Sequence, residues 1–236
     1  MYYKQMILNR PFSIEQVKSV MGSYELGTRQ LSLSYTRFKA LAKFAQIDLQ
    51  AFERELKGLQ GDYSIGSETG IKRQLLTDEE IVSWYNQLKS PLSKWCFGAL
   101  ATWGLRPHEL WLIDLDTLSK ANSGLITVLP EQNGIVGKGK HPRSRSILPC
   151  RPNWFYDWEL WNYQLPQSKG VTARDLGHVI GAQFKRNKTP FLPYDLRHAW
   201  AVRALHSGLP TSQAARAMGH RLTVHERIYL YWIDEQ

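Results

Sequence analysis

The chain has 236 residues, 43% of them hydrophobic, and a formal net charge of +9. That length holds one large domain, or a small domain followed by a larger one. No apolar run approaches the ~20 residues of a membrane helix, the first residues (MYYKQMILNR) lack a signal-peptide core, and the two cysteines, Cys96 and Cys150, suit neither a disulfide framework nor a metal knot. These features predict a cytoplasmic chain with no membrane partner, no metal and no small-molecule cofactor. The charge is uneven, because residues 131–236 hold fifteen Lys/Arg against eight Asp/Glu. Such an excess in one region points to a polyanion partner.

Ser13-Ile14-Glu15-Gln16 carries a capping-box pattern and opens a first short helix. A second helix is predicted over residues 34–46, with Tyr35, Phe38, Leu41 and Phe44 near helical spacing. Asp48 caps a third, on which Leu49, Phe52, Leu56 and Leu59 recur at helical steps. The polar, glycine-rich run that starts at Gly61-Asp62-Tyr63-Ser64 reads as a linker. Thr77-Asp78-Glu79-Glu80 opens a further helix, and a more apolar one over residues 92–103 ends at Gly104. Leu125-Ile126-Thr127-Val128-Leu129 is the best strand candidate. With residues 134–140 and 146–148 it predicts a small antiparallel sheet with a basic turn. The remainder reads as helices over 153–164, 172–187, 195–207, 211–218 and 224–232. The expected fold is mainly α with a small antiparallel β-sheet (α+β). It comprises a small helical domain (1–60), a linker (61–73) and a larger domain (74–236).

Four segments carry unusual polar residues. They are Gly104-Leu105-Arg106-Pro107-His108-Glu109, then Gly137-Lys138-Gly139-Lys140 with Arg143 and Arg145, then Tyr194-Asp195-Leu196-Arg197-His198, and finally Gly219-His220 with Tyr229 nine residues on. Singly, each has an ordinary reading. Arg106 suits a helix C-terminus, Lys138 a solvated turn, Arg197 a helix salt bridge, His220 a satisfied histidine and Tyr229 a half-buried aromatic.

Together and in this order, the segments resemble the catalytic domain of the tyrosine recombinase (phage integrase) family, over roughly residues 74–232. The resemblance implies a site-specific recombinase that cuts and rejoins double-stranded DNA without metal or ATP. Arg106 and Arg197 would grip the phosphate, since guanidiniums offer a fixed fork of donors and stay charged. His220 would add a hydrogen bond, and Lys138 would protonate the leaving oxygen as general acid, with Lys140 its rival. Tyr229 would attack to leave a 3′-phosphotyrosine. Glu109 would orient the arginines, and His198 would be structural. Lys140, Arg143 and Arg145 are expected to contact DNA, and the N-terminal domain to clamp it.

The chain departs from the pattern at Tyr194, where the family usually has histidine. A phenol contacts phosphate but accepts a proton poorly near neutral pH. A non-cleaving DNA-binding protein and a type IB topoisomerase-like relaxing enzyme are therefore the alternative readings. Self-association on DNA is left open. The short segment after Tyr229 is expected to pack on its own domain, which implies a monomer in free solution.

Overall fold

The computed structural model describes residues 12–25, 28–59, 75–119, 123–137 and 143–229. Two compact units are present, Met1–Gln74 and Leu75–Gln236.

In the first unit, α1 (Ile14–Gly22), α2 (Arg29–Phe44) and α3 (Leu49–Glu55) enclose Val17, Met21, Leu31, Phe38, Phe52 and Leu56. Each helix starts at a side-chain cap: Ser13, Thr28 and Asp48 accept hydrogen bonds from the N–H groups of Gln16, Leu31 and Gln50. The Thr28 cap explains why α2 begins five residues earlier than expected. Phe44, placed on the apolar face by its spacing, instead projects into solvent, and Ala42 fills that level of the core.

The second unit begins with α4 (Asp78–Gln87), opened by a reciprocal Thr77–Glu80 capping box, and α5 (Pro91–Trp103). From Trp95 to Trp103 every residue of α5 is buried, which makes it the central helix. It stops at Gly104, whose φ of 62° is left-handed. A short 3-10 helix (Pro107–Leu112) and α6 (Leu115–Ser119) follow.

The strands are β1 (Ile126–Val128), β2 (Glu131–Gln132), β3 (Ile135–Val136) and β4 (Arg145–Ile147). They form two separate antiparallel ladders. β1 pairs with β4 in the register Ile126↔Ile147, and β2 pairs with β3 around Asn133-Gly134, both at positive φ as a tight hairpin turn requires.

The remaining helices are α7 (Pro152–Asp157), α8 (Ala173–Arg186), α9 (Pro193–His206), α10 (Thr211–Met218) and α11 (Leu222–Tyr229). The helix expected over 153–164 therefore ends at Asp157. Trp158 turns inward to stack on Tyr85 (centroids 4.1 Å apart), and Glu159 takes a positive φ that cannot continue the helix. α9 packs along α5. Arg203 of α9 fastens it further: its Nε donates to Asp78 at 2.6 Å, its Nη1 to the Ala101 carbonyl at 3.3 Å, and its guanidinium lies 4.5 Å from the Trp154 ring.

Candidate active site

The site is built around one carboxylate. Glu109 sits in the 3-10 helix directly after α5 and is 2% exposed. Its Oε2 accepts from the Arg106 backbone N–H at 2.8 Å, and its Oε1 from Arg106 Nη1 at 2.7 Å. Arg145 Nη2 donates to Oε2 at 2.6 Å, and Arg197 Nη1 lies 3.7 Å from the same oxygen. Burial alone would push the Glu109 carboxyl up, but Arg145, Arg197 and Arg106 outweigh it and hold its pKa at about 2. Three guanidiniums thus share one negative charge, which leaves positive charge at the site uncompensated.

Arg197, on α9, is 1% exposed and reaches the ends of two helices, α5 and α10. Its Nη1 donates to the Gly104 carbonyl at 2.7 Å, and its Nη2 donates to the Met218 carbonyl. Gly219, at φ 63°, ends α10 and turns the chain so that its own carbonyl accepts from Arg106 Nη2 at 3.4 Å. His220 follows, with Nε2 3.2 Å from Arg197 Nη2. A guanidinium only donates, so Nε2 is the acceptor and the imidazole proton resides on Nδ1, which has no partner among the described residues. Burial, Arg197 and Arg106 lower the His220 pKa to about 3, so the ring is neutral near pH 7 with an N–H to offer. Burial works against the Arg106 cation, but Glu109 and the hydrogen-bonding Tyr194 phenol keep its pKa raised.

Tyr229, on α11, is 1% exposed, and its Oη lies 3.0 Å from His198 Nδ1. Burial pushes the phenol up to about 12, against the pull of Arg197. His220 and Tyr229 lie ring over ring with centroids 6.3 Å apart. His225, one helical turn before Tyr229, is also buried, with its ring 4.7 Å from the tyrosine ring and both nitrogens without a hydrogen-bond partner among the described residues.

No family model matches the chain. Over 245 residues it is 33% identical to excisase A of Nostoc sp. strain PCC 7120, covering 94% of this chain and 48% of that protein. It is 28% identical over 166 residues to excisase C of the same strain, covering 65% of this chain and 30% of that protein. The chain therefore spans about half the length, or less, of the curated relatives it matches. Similar solved structures include XerA recombinase (15% identity, 94% of this chain and 87% of that one, TM-score 0.49). XerH site-specific recombinase bound to difH substrate is another (15%, 97% and 84%, TM-score 0.44). A third is the Tn1549 transposon integrase with circular intermediate DNA (16%, 91% and 87%, TM-score 0.46). The curated relatives that the chain matches are thus both named excisases.

The structure brings Arg106, Glu109, Arg197, His198, His220 and Tyr229, all singled out in the sequence, to one place from four separate stretches of chain. Tyr194 lies at the exposed edge, beside Arg106. Arg143 is exposed. Arg145 is not on that surface: its side chain is 11% exposed, and its Nε donates to the Ala217 carbonyl at 2.7 Å. Lys138, Lys140 and the segment after Tyr229 lie outside the described residues. Sequence reasoning passed over His225, although its spacing of one turn from Tyr229 was a usable signal. Among the described residues no group of three His, Cys, Asp or Glu is placed to hold a metal, and no helix is long and apolar enough to cross a membrane.

Proposed function

We propose that this chain cleaves and rejoins duplex DNA in site-specific recombination through a covalent 3′-phosphotyrosine at Tyr229. One observation carries the reading. Arg106 and Arg197, anchored by a single carboxylate and by backbone carbonyls, lie with the Nδ1–H of His220 around the position of the Tyr229 phenol. Fixed donors with uncompensated positive charge suit a phosphate whose non-bridging oxygens gain charge in the transition state.

In this reading Arg106 and Arg197 hold two phosphate oxygens and His220 donates to one of them. The Tyr229 oxygen bonds to phosphorus while the 5′-oxygen departs with a proton from Lys138, whose role rests on the family resemblance. The phosphotyrosine keeps the energy of the broken ester, so rejoining needs no ATP. The guanidiniums supply the charge that a metal supplies elsewhere. Tyr229 is 1% exposed, so α11 has to shift to admit the phosphate. Excision of a DNA element is the activity suggested by the names of the curated relatives, and the basic excess of residues 131–236 supports DNA as the partner.

The burial of Tyr229 favours one other reading, a DNA-binding protein that does not cut. Trapping on a nicked suicide duplex from the chain's own genomic flanks separates the two. The wild type forms a protein–DNA adduct stable to denaturation, in excess EDTA, and Tyr229→Phe forms none while still binding. Binding without any adduct would establish the non-cleaving reading.

A further inference from the structure

The phenol at the centre of the site is already paired with an imidazole. Tyr229 Oη and His198 Nδ1 lie 3.0 Å apart, and both side chains are buried. We propose that His198 is the general base that removes the Tyr229 proton as the oxygen attacks phosphorus. This rests on the phosphotyrosine reading and adds a catalytic residue to it.

Three observations single out His198. The first is its place on α9. Tyr194 and His198 are four residues apart and share one face, with ring centroids 6.1 Å from each other. The residue at the exposed turn is thus a phenol, a poor proton acceptor near pH 7, and the imidazole stands one turn further in. The second is the state of the other two histidines. Among the described residues His225 hydrogen-bonds through neither nitrogen, and the basic lone pair of His220 is taken by Arg197. The third is demand. Burial pushes the phenol up to about 12, so almost no tyrosinate exists near neutrality and attack requires the proton to leave. His198 also directly follows Arg197 on α9, so base and phosphate grip move as one rigid element.

The step balances. The O–H bond of Tyr229 breaks as its O–P bond forms, and the proton passes to Nδ1 of His198 to give an imidazolium. The bond from phosphorus to the 5′-oxygen breaks, and that oxygen takes a proton from the lysine ammonium. On rejoining, His198 returns its proton to the departing phenolate. The new cation forms on α9 beside Arg197, and the negative charge gathering on the phosphorane, together with the standing charge of Glu109 3.7 Å from Arg197, offsets it.

The test uses the whole chain in single-turnover adduct formation on a suicide duplex. His198→Asn keeps a polar atom near the Nδ1 position but cannot accept a proton. Cleavage is expected to slow about 100-fold or more, within the range of general-base loss, with DNA binding unchanged. Replacing Tyr229 by a difluorotyrosine, whose phenol is more acidic, should speed the Asn variant about tenfold or more relative to its effect in the His198 background. A purely structural role would give no such rescue. Retention of wild-type rate by His198→Asn, or a loss that the acidic phenol does not recover, overturns the proposal. His198→Gln, with circular dichroism on both variants, guards against a folding defect. If the wild type binds this DNA and forms no adduct, the phosphotyrosine reading fails and this inference falls with it.

Discussion

Arg145 on β4 meets Glu109 in the 3-10 helix through a 2.6 Å ion pair, while its Nε holds the Ala217 carbonyl at 2.7 Å. One side chain thus ties the strand after the basic turn to the carboxylate hub and to the end of α10, just ahead of His220. Removing one partner of a buried pair leaves the other charge uncompensated, at about 3–5 kcal/mol. Glu109→Gln strands three arginines and should sit at about 5 kcal/mol, while Arg145→Met leaves Glu109 with two partners and should cost about 3 kcal/mol. Urea unfolding of the two variants checks the order. A larger loss for Arg145→Met would mean that Glu109 is not the hub.

The site also sets the response to acid. His220 and His225 have folded-state pKa values of about 3 and about 4, below the ordinary 6.5, and Glu109 about 2, below the ordinary 4.5. Each group binds fewer protons in the folded than in the unfolded chain, so stability falls as pH drops. The histidine part is fully present above pH 6.5 and is lost towards pH 3, and the Glu109 part is lost from pH 4.5 towards pH 2. Denaturant midpoints measured from pH 7 to 4 should decline in the wild type and decline less in His225→Phe. That variant should be at least as stable at pH 7, because it removes two buried nitrogens that lack partners. Parallel curves would place the acid sensitivity elsewhere.

Much of this architecture is legible in the sequence where a local signal exists. Ser13, Asp48 and Thr77 mark helix starts because a cap is a short-range interaction, and Gly104 marks an end for the same reason. The arginine, histidine and tyrosine segments announce themselves through their types and order. What the sequence hides is long-range. Nothing near Arg145 shows that its charge is used 36 residues away, so it reads as a surface cation. The stop at Asp157 depends on Tyr85, which draws Trp158 out of the helix. The proximity of His198 to Tyr229 spans 31 residues and has no local signature.

Gly104 has two duties that a larger residue cannot meet. Its φ of 62° is left-handed, and an added Cβ would lie 2.6 Å from the Trp200 ring. Gly104→Ala therefore combines a left-handed cost of about 1–2 kcal/mol with an overpacking cost of about 1–3 kcal/mol. Because the Gly104 carbonyl accepts from Arg197, adduct formation should fall together with thermal stability. A variant with wild-type Tm would show that α5 and α9 can separate at this point without cost.

Arg143 and Arg145 look alike in sequence, yet one is exposed and the other is held by Glu109. If DNA is the partner, binding releases counterions, and the slope of log K against log salt counts the phosphates neutralised. Arg143 is exposed, and no ion pair occupies its side chain among the described residues, so Arg143→Ala should lower that slope by about one unit if it contacts a phosphate. Arg145 is engaged with Glu109 and the Ala217 carbonyl, so its charge is already spent inside the protein. Arg145→Met should leave the slope unchanged while weakening adduct formation, because it loosens Glu109 and the segment before His220. Filter binding or fluorescence anisotropy across a salt series on a single duplex reads both slopes. A full unit lost with Arg145→Met and none with Arg143→Ala would reverse the assignment. It would mean that the Glu109 pair opens when DNA binds, so that Arg145 meets a phosphate directly.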